Sequence, residues 1–132
     1  MIYIVLNGGA ILAATMVGLL LGMIWQVLVD RGRTGGPGVA GTLLLAFVAE
    51  AWLCAILAGA LILAPPKGSV WTMTIGSAFV IWLGFVVPSL AASYRMRSLP
   101  MRSALVDCAY WLVVMLAQAV VLRLIGLVPP PV

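Results

Sequence analysis

Histidine is absent from the 132 residues, and one lysine, three acids and two cysteines are all that the chain has of those types. Without histidine there is no bis-His haem, no His-ligated zinc or copper, no Ser-His-Asp chemistry and no imidazole proton relay. The single lysine, Lys67, stands between Pro66 and Gly68 in a turn, which excludes an intramembrane Schiff base. Asp30, Glu50 and Asp107 are too few for a multi-carboxylate metal site. Gly-x-Ser-x-Gly, Cys-x-x-Cys and P-loop patterns are also missing. Neither an enzyme nor a resident cofactor or metal is expected.

Charge is scarce as well: 8% of residues are charged and 65% are hydrophobic, where soluble domains carry roughly a quarter charged residues. With a mean hydropathy of +1.27 the chain reads as an integral membrane protein. A span takes about 20 apolar residues, and four stretches qualify, at 2–29, 39–63, 70–94 and 103–127. Gly- and Pro-containing turns separate them, and Pro129-Pro130-Pro131 cannot continue a helix. The expected fold is all-α, a single up-down bundle of four transmembrane helices joined by short loops.

Short loops rich in basic residues stay cytoplasmic. Loops one and three share a side and hold Arg31, Arg33, Arg95, Arg97 and Arg102, against Lys67 and Arg123 opposite. Both termini are therefore expected outside the cytoplasm. The first stretch has two arginines after it and none before it, the reverse of a secretory signal, so it is expected to be retained. The net charge of +4 follows from this bias and from contact with anionic headgroups, and nucleic acid is not an expected partner.

Glu50 falls near the middle of the second stretch, where an ionised carboxylate costs at least about 2.5 to 3.5 kcal/mol. No Arg or Lys lies at that depth. Thr15, Ser77, the Trp82 indole and Gln118 are the nearest polar groups, and none can neutralise an acid. Glu50 is either protonated or meets water, a bound cation or a partner chain. The readings are a proton or cation relay, a polar contact between subunits, or an acid hydrogen-bonded within the bundle.

Asp107, in the first turns of the fourth helix, is expected to form a structural clamp with Arg102 at the same level. Arg123 can snorkel to the interface or pair with the Asn7 amide. Gly18 and Gly22 form a Gly-x-x-x-Gly element, and Ala51, Ala55, Ala58 and Gly59 a small-residue stripe; both suit close packing, within the bundle or between chains. Gly84, four residues before Pro88, predicts a kink whose freed carbonyl could serve a cation or substrate.

Tyr3, Trp71, Trp25 and Tyr94 fit interfacial belts. Trp52 and Trp82 fall near the bilayer centre instead. Trp52 lies about 200° around its helix from Glu50 and so points away from the acid's surroundings. Both tryptophans are candidates for packing on each other, on lipid, on a hydrophobic cofactor or on a neighbouring subunit, core or lipid-facing packing being the expectation. Cys54 and Cys108, roughly 15 Å apart in depth, are too distant for a disulfide.

The run Gly84-Phe85-Val86-Val87-Pro88-Ser89-Leu90-Ala91-Ala92-Ser93, followed by Leu105-Val106-Asp107-Cys108-Ala109-Tyr110-Trp111, resembles the bacterial membrane family known as domain of unknown function 1761. Gly22-Met23-Ile24-Trp25 is similar to that family's Gly-x-x-Trp. Asp107 stands where the family pattern has Asn, and Trp111 where it has Tyr. The resemblance implies a four-helix fold and a multi-pass place in the bacterial inner membrane, and it brings no activity or site residue. Two expectations remain. The first is a non-catalytic protein that packs against itself as a homo-oligomer, or serves as an accessory subunit of a larger membrane complex. The second is a small proton- or cation-coupled transporter or channel using Glu50 beside the Pro88 kink. They differ in whether Glu50 faces a cavity inside the bundle or a neighbour outside it.

Overall fold

Helix boundaries fall where the backbone can no longer continue. The computed structural model describes residues 2–29 and 38–131 and runs α1 (Ile2–Leu6), α2 (Gly8–Leu28), α3 (Val39–Leu63), α4 (Val70–Ile81), a π-helical turn (Trp82–Val86), α5 (Val87–Met96) and α6 (Met101–Ile125). Four helices are long and apolar enough to cross a membrane, and among the described residues there is no strand. The all-helical, four-span architecture is the one the hydrophobic runs indicate. Asp30, Arg31 and Arg33 of the first loop lie outside the described residues.

The Ser69 hydroxyl opens α4 by accepting the Thr72 N–H at 3.2 Å, directly after the turn that Pro65 and Pro66 impose. Helix α6 starts and stops two residues earlier than the apolar run suggests. Pro100 precedes its first residue, and Gly126 leaves the helix at φ 90°, a conformation that favours glycine.

Helix α6 is the central element and packs on α2, α3, α4 and α5, while α2 also packs on α3. Their contacts are made by small side chains, among them Ala10, Ala14, Cys54, Ala55, Ala58 and Ala119. Close backbone approach, rather than hydrophobicity, holds helices together in lipid, which accounts for this choice. Large apolar residues such as Leu44, Val80 and Phe85 are instead exposed on the outside. The third span is peripheral, with only 6% of its apolar window buried, so interior space is bounded by the other three.

Asn7 joins α1 to α2. The backbone ladder runs through it, with its N–H on the Tyr3 carbonyl and its own carbonyl accepting from Ile11. Its side chain, 3% exposed, donates to the Val128 carbonyl at 2.9 Å and accepts the Val128 N–H at 2.7 Å. Asn7 therefore pins the segment after α6 rather than pairing with Arg123. Asn7→Ala removes both hydrogen bonds to Val128 and is expected to cost about 2 kcal/mol, read as a lower unfolding midpoint in detergent.

Candidate functional site

The acid in the middle of α3 is surrounded by the first and fourth spans. Glu50 is 1% exposed, and its Oε1 accepts a hydrogen bond from the Tyr110 hydroxyl of α6 at 3.1 Å. The α2 backbone leaves room for both side chains. A Cβ on Gly18 would overlap Glu50 Oε2 and lie 2.9 Å from Gln118 Nε2, and one on Gly22 would lie 2.8 Å from the Tyr110 hydroxyl. The Gly-x-x-x-Gly element is thus taken up inside the bundle, as the recess into which the acid and its tyrosine fit. One turn away, Thr15 donates to the Ile11 carbonyl at 2.8 Å, and Cys54 reaches the same carbonyl at 3.8 Å.

Three buried polar atoms here have no hydrogen-bond partner among the described residues: Glu50 Oε2 and both side-chain polar atoms of Gln118. Orphaned polar groups in an apolar interior cost about 1–3 kcal/mol each, a cost that a hydrogen-bonding or charged group reaching them would relieve. Glu50 also closes one end of a cavity of about 670 Å³ between α2, α3 and α6. Gln26, Val29, Thr42 and Arg102 line its other end, at the helix termini that border loops one and three.

Asp107 lies on the cavity wall but takes its hydrogen bond from the Tyr94 hydroxyl, not from Arg102. The expected clamp is therefore made by the third span. Arg102 is exposed at the cavity mouth instead. The two central tryptophans part company. Trp52 is 58% exposed on the outer face, and Trp82 points inward, donating from Nε1 to the Cys108 carbonyl at 2.8 Å. Gly84 and Pro88 do not join Glu50: both are exposed on the third span and neither lines the cavity. At the place where they predict a kink the helix makes a π-helical turn, in which the Val87 N–H reaches back to the Trp82 carbonyl. Cys54 and Cys108 are both free and buried.

Tyr110 lies in the second run that carries the family resemblance, but neither that run nor composition places it beside Glu50. Depth does, because α3 and α6 both start from the same end. Tyr110 lies 9 residues into α6 and Glu50 lies 11 into α3, which puts them at about 14 Å and about 17 Å. Two further rings flank it, Trp25 with centroids 5.8 Å away and Trp111 at 5.3 Å.

Fold and site together define a small helical membrane protein with a buried carboxyl at the end of an interhelical cavity. The chain belongs to the family described as "Protein of unknown function (DUF1761)", whose model matches residues 30–123. That stretch takes in Glu50, Asp107, Tyr110 and Gln118 and leaves out Gly18, Gly22 and Trp25. No curated protein and no solved structure matches the chain.

Proposed function

We propose that the protein is a non-enzymatic carrier or channel of the cytoplasmic membrane in which Glu50 is the proton- or cation-coupling group. One observation carries this reading: the mid-span acid is itself buried and lies at a half-open cavity between α2, α3 and α6 rather than on the outer face of its helix. The alternative, packing against itself or service as an accessory subunit, drew on Gly18, Gly22, Trp52 and Trp82. Within this chain Gly18 and Gly22 are occupied by Glu50, Gln118 and Tyr110, and Trp82 is bonded to α6, so Trp52 alone is left to meet a partner. The excess of arginine around loops one and three orients the cavity mouth toward the cytoplasm and both termini away from it.

A carboxyl can release a proton and a carboxamide of nearly the same shape cannot, which makes Glu50→Gln the decisive variant. In liposomes carrying an entrapped pH dye and a valinomycin-clamped potassium gradient, the wild-type protein is expected to speed proton movement above that of protein-free vesicles. Glu50→Gln is expected to lower that rate at least tenfold while circular dichroism stays unchanged. Equal rates for wild type and variant, or a wild-type rate no faster than protein-free vesicles, would overturn the reading.

A further inference from the structure

Resting on Glu50 as the coupling group, we propose that the cavity takes an organic cation, a positively charged nitrogen or phosphorus centre bearing apolar substituents. A cavity of about 670 Å³ is far larger than a proton or a bare metal ion needs, and it falls within the roughly 300–1,000 Å³ of small-molecule sites. A metal ion would also lack ligands, because among the described residues no three His, Cys, Asp or Glu side chains gather in one place.

What lines the cavity suits a soft cation. Among the described residues Glu50 and Asp107 supply two carboxylates against one guanidinium, Arg102 at the mouth, so that this part of the lining, fully ionised, carries a net negative charge. Trp25, Tyr110 and Trp111 supply three neighbouring rings, whose faces attract cations within about 6 Å. Glu50 Oε2 is buried without a hydrogen-bond partner among the described residues, so once its proton leaves, the carboxylate has no competing partner on that oxygen and attracts a cation in the cavity. An anion meets the reverse arrangement among the described residues, with Arg102 at the entrance and two acids beyond it.

The probe is tetraphenylphosphonium, with triphenylphosphine oxide as its neutral counterpart, measured by equilibrium dialysis against purified full-length protein in detergent. Saturable one-site binding of the cation is expected, undisturbed by the neutral compound. Glu50→Gln is expected to weaken it at least tenfold. Arg102→Gln, at the exposed mouth, is expected to tighten it by about threefold, and this keeps the test sound if position 50 tolerates no change. Equal displacement by the neutral compound, or affinity indifferent to both substitutions, overturns the proposal. Proton flux lost in Glu50→Gln without any phosphonium binding by the wild type removes the organic cation and leaves the coupling role. Phosphonium binding without proton flux removes the coupling role.

Discussion

Gly18→Leu is expected to abolish the folded bundle, while Gly18→Ala is expected to leave it folded and silence the site. The difference lies in what each side chain meets. A single methyl on Gly18 overlaps Glu50 Oε2, the far end of a flexible side chain, and also crowds Gln118 Nε2. The carboxyl can swing away, at an overpacking cost of about 1–3 kcal/mol, and in doing so it gives up the Tyr110 hydroxyl. Leucine needs space that neither Glu50 nor Gln118 can yield, and the expected cost exceeds about 3 kcal/mol. Coupling between the positions gives a sharper measure: Gly18→Ala should cost about 1–2 kcal/mol less once Glu50→Ala has emptied the recess. Unfolding in mixed micelles reads these differences, and light scattering separates them from a change of mass. Were Gly18 an interface residue, leucine would alter the mass of the particle and spare the stability of the monomer.

The glycine pair shows how far sequence carries a helix face. Spacing of four announces a smooth surface on α2, and smoothness serves a second helix, a second chain or a bulky side chain equally well. Only the tertiary register of α3 and α6 decides that Glu50 and Tyr110 fill it. Glu50 itself is legible at once, because an acid within 25 helical residues of high hydropathy has no cheap explanation. Its partner is less visible, since an interior tyrosine looks like any belt or packing aromatic until its depth is matched to the acid's.

Elsewhere the misses share one cause, competition for a hydrogen bond from a span whose rotation the sequence leaves open. Asp107 appears paired with Arg102 when only depth is considered, yet Tyr94 on the third span reaches it. Asn7 appears available to Arg123 at similar depth, and the backbone of Val128 takes both its donor and its acceptor instead. In each case the winning group is nearly as deep but is brought round by a local irregularity, the π-helical turn in one instance and the Gly126 break in the other.

The π-helical turn also makes possible the second large effect. Trp82 and Tyr94 both hydrogen-bond to α6, at Cys108 and Asp107, and so must lie on one face of the third span. Twelve residues of unbroken α-helix would set them about 120° apart at about 100° per residue. The surplus residue absorbed by an i→i+5 turn removes about 100° of that, which brings the two side chains to within about 20°. Inserting one alanine after Gly84 should therefore swing Tyr94 away from Asp107 and destabilise the bundle by more than about 3 kcal/mol. Deleting Gly84 has the opposite consequence when Pro88 is replaced by alanine in the same chain. Eleven residues of plain α-helix keep both contacts, and without the proline ring nothing opposes regular helix, so this variant should unfold within about 1 kcal/mol of the wild type. Tyrosine fluorescence and unfolding in detergent distinguish the two. Equal tolerance of insertion and deletion would mean that the turn is only a consequence of Pro88 and does not set the rotation of the span.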